Sequence, residues 1–167
     1  MAGKGLMSAI PEKSTEVKGQ GGEQAYTLLG EKGSGAKYIK KKKIGKGSYG
    51  EAWLCEPADG GPVCVTKIMA LPKMSNRDIQ YAYSEIKCLS LVKHPNIIRY
   101  YEDKEEGDDL LITMEFADGG DLDRQIKQRA ANGSHYFQEH EVLFMFLQIC
   151  MALDHIHAKK MLHRDIK

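Results

Sequence analysis

A glycine-rich turn between two strand-like segments constrains the fold of this chain more than any other feature. The turn is Gly45-Lys-Gly-Ser-Tyr-Gly50, and it separates the stretch Lys40–Ile44 from the alternating segment Glu51–Cys55. The spacing GxGxxG alone is a weak signal, because dinucleotide-binding folds and plain hairpin turns share it. A dinucleotide site needs its glycines to open a helix, whereas this turn joins two strands of a hairpin. The pattern therefore favours an antiparallel meander, in which the turn amides can close over phosphate oxygens.

The segments after this hairpin predict more strands and one helix. A turn at Ala58–Gly61 leads to a third strand, Pro62–Met69, and two more strands are expected around Ile97–Lys104 and over Leu110–Phe116. Between them, Ser75 followed by Asp78 is typical of a helix start. The apolar positions of this helix recur at helical spacing: Ile79, Ala82, Ile86, Leu89 and Val92. We therefore expect an α+β fold with a five-stranded antiparallel sheet and one helix packed on it.

The pattern changes to helical after Gly119-Gly120. A short polar helix is expected from Asp121, and a long helix follows it. The long helix has its apolar positions at Val142, Phe146, Ile149, Leu153 and Ile156. At the other end of the chain, residues 1–36 are rich in Gly, Ser, Lys and Glu and lack apolar periodicity, so we expect a flexible tail there.

Composition excludes several classes of protein. The formal net charge of +1 argues against an electrostatically driven nucleic-acid binder. The four cysteines include no CxxC pair, which argues against a disulfide framework and against a zinc site. From the sequence we expect no segment that is long and apolar enough to span a bilayer, and the N-terminus has no signal-peptide pattern. We therefore expect a soluble intracellular protein with reduced thiols.

Lys67 and Glu85 are the first pair of candidate functional residues. Lys67 lies inside the apolar strand Val63–Met69, where a charge needs a partner unless it points outward on the alternating face. Glu85 follows Ala82 by three residues on the apolar side of its helix, where an unpaired carboxylate is costly. A pair between them satisfies both charges. Such a pair holds the ammonium group where it can bind the α- and β-phosphates of a nucleotide.

The segment Leu162-His-Arg-Asp-Ile-Lys167 completes an ordered series of motifs. A His-Arg-Asp tripeptide alone is easily found by chance. Here it follows a glycine-rich turn, a strand lysine, a helix glutamate with His-Pro-Asn-Ile behind it, and Met114-Glu-Phe before Gly-Gly-Asp. From about Tyr38 onward the chain resembles a eukaryotic protein kinase. Gly47–Ala52, Met114–Leu122 and Phe146–Leu153 make it similar to the NIMA-related serine/threonine kinases in particular.

The resemblance implies a role for each matched residue. Lys67 would bind ATP phosphates, Glu85 would anchor it, Asp165 would accept or orient the hydroxyl proton of the substrate, and Lys167 would contact the γ-phosphate. Met114 would be the gatekeeper, backbone groups of Glu115 and Ala117 would bond adenine, and Asp121 would face the ribose. The remaining ATP-contacting positions are Ile44, Gly45, Lys46, Gly47, Ser48, Tyr49, Gly50, Ala52 and Val65.

The family pattern also implies the organisation of the chain. Residues 37–117 would form the kinase N-lobe and hinge, and residues 118–167 the start of an incomplete C-lobe. The Asn and the DFG aspartate that hold Mg²⁺ in this family are not found in the sequence, so no metal ligand is assigned here. We expect a serine/threonine protein kinase that uses ATP and Mg²⁺, with this stretch inactive or nearly so by itself. A non-catalytic module that binds nucleotide or a partner is the alternative.

Partners and location follow from the composition and from the same resemblance together. Protein substrates are expected, whereas nucleic acid and membrane are not. The apolar residues of the long helix would be covered by the remaining C-lobe or by a partner. Arg164 suggests control by activation-loop phosphorylation. A cytoplasmic location is expected, and the family suggests centrosomal, ciliary or nuclear ones as well.

Two further features have plainer interpretations. The run Lys40–Lys43 could mark nuclear localisation or phosphoinositide binding, but solvated lysines that guard a sheet edge are the favoured explanation. His155 and His157 are two residues apart on a predicted helix and therefore face different directions. Zinc binding there is not expected.

Overall fold

The computed structural model describes residues 28–29, 38–48, 50–133, 136–164 and 166. Most of the expected tail, residues 1–36, lies outside these ranges, so the prediction of flexibility stays untested there. Leu28 and Leu29 are the exception, because they form a short strand.

A single antiparallel sheet makes up most of the first half of the chain. In the spatial order β1-β2-β3-β4-β6-β5, its strands are β1 (Leu28–Leu29), β2 (Tyr38–Lys46), β3 (Gly50–Pro57), β4 (Cys64–Ala70), β6 (Asp109–Glu115) and β5 (Tyr100–Glu106). The five expected strands are confirmed, and β1 adds a sixth that the sequence pattern did not indicate. The strand around Ile97–Lys104 begins only at Tyr100, because Ile97 donates its amide to the His94 carbonyl in a turn (3.1 Å).

Helix α1 (Asn76–Ser90) follows β4 after a short 3-10 turn, Leu71–Lys73. The expected helix start is confirmed. The Ser75 hydroxyl accepts a hydrogen bond from the Asp78 amide (3.2 Å), and Asp78 receives hydrogen bonds from the Ser75 hydroxyl and amide (2.7 and 3.4 Å). This reciprocal capping satisfies amides that a helix N-terminus otherwise leaves unbonded.

The main core lies between α1 and one face of the sheet. Ala82 and Ile86 on α1 pack against strand residues Met69, Leu110 and Ile112, all of them nearly inaccessible to solvent. Apolar burial of this kind is what fixes the helix on the sheet. The position of α1 is therefore set by β6 and by β4, the strand that carries Lys67.

The opposite face of the sheet has a smaller buried cluster. It contains Tyr38, Cys55, Cys64 and Leu111. Beside it, the hydroxyls of Thr66 and Thr113 form a buried hydrogen bond of 3.1 Å between β4 and β6. Burial raises the pKa of the Cys64 thiol to about 11, which keeps it protonated and unreactive at neutral pH. All four cysteines are free thiols, although Cys88 is exposed.

The run Lys40–Lys43 is tied into the sheet. Lys41 forms an ion pair with Glu56 at 2.8 Å, and Lys43 forms one with Glu51. The Lys40 ammonium lies 5.3 Å from the centroid of the Trp53 ring. These contacts with β3 agree with the plainer explanation of the run.

The helical part contains α2 (Leu122–Ala131) and α3 (Glu139–Ala158), as the sequence predicts. Arg129 on α2 holds Glu141 on α3 by two hydrogen bonds of 3.1 and 2.8 Å. The guanidinium of Arg129 also lies 3.9 Å from the centroid of the Phe137 ring. These contacts orient the two helices relative to each other.

Helix α3 differs in one respect from the sequence-based expectation. Among the described residues it is long and apolar enough, by length and composition, to cross a membrane, with a mean hydropathy of 1.3. The reason is that Glu141 and Asp154 enclose a stretch without acidic or basic residues. Core helices of soluble proteins meet the same criterion, so this finding does not place the chain in a membrane. The apolar side chains of α3 are largely exposed, Phe144 at 66% and Phe146 at 61%.

Candidate active site

The glycine-rich turn connects β2 to β3, and a hydrogen bond closes it. The Gly47 amide donates to the Gly50 carbonyl at 2.7 Å. Gly45 pairs with Ala52 where the two strands meet the turn. Because the turn lies inside an antiparallel hairpin and opens no helix, the dinucleotide alternative is excluded. Lys46 and Ser48 are exposed, Ile44 is half-buried, and Tyr49 lies outside the described residues.

Several predicted adenine-contacting residues share one face of the sheet. Ala52 on β3 is opposite Lys67 on β4, and Val65 on β4 is opposite Met114 on β6. Cross-strand partners point to the same face, and so do residues two apart on one strand. Met69 lies on that face in contact with the α1 core, and Met114 packs against the same cluster. The face covered by α1 is thus the one that presents Ala52, Val65, Lys67 and Met114.

Lys67 and Glu85 act on each other electrostatically across this face. Burial lowers the pKa of Lys67, and the negative charge of Glu85 opposes that effect. Burial likewise raises the pKa of Glu85, and the positive charge of Lys67 opposes it. Both groups are therefore partly removed from water and lie close enough for each to sense the other's charge. Such a site strengthens the interaction of the ammonium group with a bound anion.

The segment after β6 provides backbone groups at the edge of this face. The Glu115 amide donates to the Arg99 carbonyl at 2.8 Å, and the Glu115 carboxylate accepts from the Arg99 amide at 2.9 Å. The Glu115 amide is already bonded to Arg99. Of the two backbone groups of Glu115, we therefore expect the carbonyl, and not the amide, to accept a hydrogen bond from adenine. Ala117 follows in an exposed, irregular stretch.

Asp121 is the N-cap of α2. One carboxylate oxygen accepts a hydrogen bond from the Arg124 amide at 2.6 Å, and the preceding Gly120 has a positive φ of 72°. The Gln125 side chain donates to the Gly119 carbonyl at 2.9 Å, which holds the Gly-Gly turn against the helix. Capping therefore orients the Asp121 carboxylate and occupies one of its oxygens.

The catalytic-loop residues are only partly described. His163 is half-buried and Arg164 is exposed with a positive φ of 64°. Asp165 and Lys167 lie outside the described residues, so their predicted roles stay predictions. Within the ranges that the structure describes, no cluster of three or more His, Cys, Asp or Glu side chains could hold a metal ion.

One contact near the site escaped the sequence analysis. The Asn96 side-chain amide, in the turn after α1, donates to the Gln148 side chain on α3 at 2.8 Å. The rings of His94 and His155 lie next to it, with centroids 5.2 Å apart. This contact ties the end of α1 to the helical part. The His-Pro-Asn segment was the signal that could have pointed to it, because a short polar turn after a helix often makes specific side-chain bonds.

Comparison with known proteins agrees with this geometry. The family model described as protein kinase domain matches residues 38–167. The chain is 62% identical over 147 residues to a putative serine/threonine-protein kinase A of Trypanosoma brucei brucei, which covers 87% of this chain and 34% of that protein. It is 59% identical over 147 residues to the putative kinase B of the same organism, with the same coverage of 87% and 34%.

Nek kinases are also similar. The mouse serine/threonine-protein kinase Nek1 is 42% identical over 131 residues, which is 78% of this chain and 11% of that protein. The chain thus spans about a third or less of the length of these relatives. The family model matches almost all of the described chain, and the sheet face covered by α1 presents Lys67 as that family requires. The chain therefore belongs to the protein kinase family and resembles its NIMA-related serine/threonine members.

Proposed function

We propose that the protein containing this chain transfers the γ-phosphoryl group of ATP to serine or threonine residues of other proteins. The observation that carries the proposal is the partly buried Lys67 ammonium on the α1-covered face, coupled to Glu85. An ammonium group held there suits the α- and β-phosphates of a nucleotide. The serine/threonine assignment is supported by the similarity to kinases of that type.

Each matched residue has a proposed part in this reaction. When bound, ATP supplies the phosphoryl group, and Mg²⁺ neutralises the negative charge of the phosphates. Lys67 binds phosphate oxygens, and Glu85 keeps the ammonium in place. Asp165 orients the substrate hydroxyl and accepts its proton, and Lys167 contacts the γ-phosphate.

The nucleotide base and sugar have proposed partners too. Ala52, Val65 and Met114 contact adenine from the strand face, and Ile44 covers it from β2. The Glu115 carbonyl and the backbone of Ala117 bond the adenine edge. One carboxylate oxygen of Asp121 caps α2, and the other oxygen faces the ribose.

The test is phosphorylation of a generic protein substrate by the full-length protein and its Lys67→Met variant. Loss of one such electrostatic contact is expected to lower kcat by ~100-fold or more. Lys87→Met is a matched control, because Lys87 is an exposed lysine on α1. An unchanged rate in Lys67→Met would disprove the role given to Lys67.

A second candidate applies to residues 1–167 taken alone. The family's Asn and DFG ligands for Mg²⁺ do not occur in this stretch, and α3 exposes a broad apolar surface. We propose that the stretch by itself binds nucleotide or a partner with little or no turnover. Titration of ATP with and without Mg²⁺, together with a turnover assay, separates the two candidates: metal-independent binding without turnover supports the module.

A cytoplasmic location, with centrosomal, ciliary or nuclear pools, is also a proposal. The composition of the sequence supports the cytoplasmic location, and the similarity to Nek kinases motivates the other pools. Imaging of the tagged full-length protein tests it.

A further inference from the structure

Helix α1 lies over three strands of the sheet, with β6 between β4 and β5. On the covered face, Met69 of β4 is opposite Leu110 of β6, and Leu110 is opposite Glu105 of β5. Lys67 precedes Met69 by two residues on β4, so its side chain points to the same face. Neighbouring strands are about 5 Å apart. Lys67 and Glu105 therefore lie on the same face, on strands about 10 Å apart.

Tyr83 and Glu85 lie on opposite flanks of the buried stripe of α1. Ala82 and Ile86 form this stripe and belong to one buried cluster with Leu110. Successive residues of an α-helix are about 100° apart around its axis. Tyr83 therefore lies about 80° to one side of the centre of the stripe, and Glu85 lies about 80° to the other side.

A different strand contacts each flank of the helix. On one flank, the Tyr83 hydroxyl donates a hydrogen bond to the Glu105 carboxylate of β5, and this bond raises the pKa of Tyr83. On the other flank, Glu85 acts electrostatically on Lys67 of β4. The helix thus connects the two contacts across β6.

We propose that the hydrogen bond between Tyr83 and Glu105 fixes the rotation of α1 about its axis and thereby positions Glu85 for Lys67. Apolar burial is not directional, so the packing of Ala82 and Ile86 defines this rotation only loosely. A hydrogen bond requires a definite direction as well as a distance. Rotation of the helix that separates Tyr83 from β5 also moves Glu85 on the opposite flank. Tyr83 is therefore a positioning residue that acts through Glu85.

The pH profile of Lys67 acylation tests this inference without any turnover. Acetic anhydride reacts with the neutral amine, and mass spectrometry measures its addition to Lys67 in the nucleotide-free full-length protein. The charge of Glu85 opposes the effect of burial and raises the pKa of Lys67. Misplacement of Glu85 should therefore lower the midpoint of the profile. We expect Tyr83→Phe, which keeps the ring, to lower it by about half a pH unit, a ~3-fold change in the ratio of neutral to charged amine.

Tyr81→Phe is the matched control. Tyr81 is an exposed tyrosine of the same helix, and its hydroxyl accepts hydrogen bonds from Arg77 of α1 at 3.1 and 3.0 Å. Because these bonds stay within the helix, the midpoint for Lys67 should not change in this variant.

Two substitutions of Glu105 separate the hydrogen bond from the charge. Both Glu105→Gln and Glu105→Ala remove the charge, but only glutamine keeps an oxygen that can accept from Tyr83. Glu105→Gln should therefore keep the midpoint near that of the unmodified protein, whereas Glu105→Ala should lower it as Tyr83→Phe does. Equal midpoints in the two Glu105 variants would overturn the inference.

A double substitution shows whether Tyr83 acts through Glu85. Glu85→Gln has no charge to position, so Tyr83→Phe in that background should shift the midpoint no further. An additive shift would overturn the inference, because Tyr83 would then influence Lys67 by another route. An unchanged midpoint in Tyr83→Phe alone would overturn it as well, even if urea unfolding showed a loss of stability.

The effect on phosphoryl transfer rests on the proposed function. In the full-length protein, kcat of Tyr83→Phe should fall by ~3-fold or more, because a smaller fraction of the molecules holds α1 in the productive position. Glu105→Gln and Tyr81→Phe should keep kcat close to that of the unmodified protein. A shifted Lys67 midpoint in a protein without any kinase activity would disprove the proposed function and support the positioning of Glu85. An active protein whose Lys67 midpoint is the same in all variants would do the reverse.

Discussion

Gly50 in β3 lies directly against the backbone of Ile68 in β4. A Cβ atom added at Gly50 would be 1.8 Å from the Ile68 carbonyl oxygen and 2.9 Å from the Cα of Met69. No side chain fits at these distances, so the last glycine of the turn is required by the packing of two strands. The Gly47 position differs, because the nearest atom to an added Cβ, the Gly50 carbonyl oxygen, is 3.8 Å away.

We therefore expect Gly50→Ala to lower the free energy of unfolding by about 3 kcal/mol, as overpacking does in a tight site. Gly47→Ala should leave the free energy of unfolding close to that of the unmodified protein. Urea unfolding of both variants is the measurement. Similar losses in the two would contradict the assignment of Gly50 to strand packing.

Glu85 is expected to support activity at a cost in stability. Burial raises the pKa of Glu85 above its usual 4.5 in spite of Lys67, so the folded state disfavours the ionised form. A group with a raised folded pKa contributes stability below its unfolded pKa, and that contribution is lost as the pH rises through the folded pKa. Glu85→Gln does not titrate. It should therefore match the unmodified protein below pH 4.5 and be at least as stable at neutral pH.

The activity of Glu85→Gln should nevertheless fall by ~10-fold or more in the full-length protein, because the Lys67 ammonium loses its anchor. Thermal unfolding across pH and a phosphorylation assay together measure the two effects. Glu139→Gln, at an exposed glutamate of α3, is the control and should change neither. A marked loss of stability at neutral pH together with the loss of activity would instead indicate a purely structural role for Glu85.

Lys160 ends α3 in a conformation that favours glycine. Its φ is 58°, its amide donates to the His157 carbonyl at 2.8 Å, and the Met161 amide donates to the Ile156 carbonyl at 3.0 Å. This is the Schellman arrangement, in which a residue with a Cβ atom is strained. Lys160→Gly should raise the free energy of unfolding by about 1 kcal/mol.

The neighbouring lysine is the control for this substitution. Lys159 has a φ of −88° and gains nothing from glycine. Lys159→Gly should therefore lower stability slightly, because glycine adds freedom to the unfolded chain. Chemical denaturation of both variants measures the difference. A destabilising effect of Lys160→Gly would contradict the strain at this helix end.

The sequence was sufficient for the features that depend on local pattern. Lys67 and Glu85 could be paired because each lies at an apolar position of a single strand or helix, where a charge requires a partner. The α1 start was predictable from Ser75 and Asp78, which interact within one turn. Most strands of the sheet were also predictable, because the alternation of apolar and polar residues is a local pattern.

Other features depend on contacts between distant segments and could not be predicted this way. The close approach of Gly50 to Ile68 depends on the spacing of two strands, which no local pattern encodes. The bond between Asn96 and Gln148 joins residues that are 52 positions apart. The ion pairs of Lys41 and Lys43 likewise depend on the β2–β3 register, which contains two irregularities.

The ion pair between Arg129 and Glu141 should make the stability of the helical part depend on acid. Arg129 and the Gln138 amide lower the pKa of Glu141 to about 2. A carboxyl group with a depressed folded pKa contributes stability above its unfolded pKa of 4.5, and this contribution is lost as the pH falls towards 2. Glu141→Gln should therefore be less stable than the unmodified protein at pH 7, and the difference should shrink steadily below pH 4.5. Urea unfolding at pH 7, 5 and 3 measures it, with Glu139→Gln in the same helical turn as the control. A difference that stays constant with pH would show that packing, and not the charge of Glu141, holds α2 and α3 together.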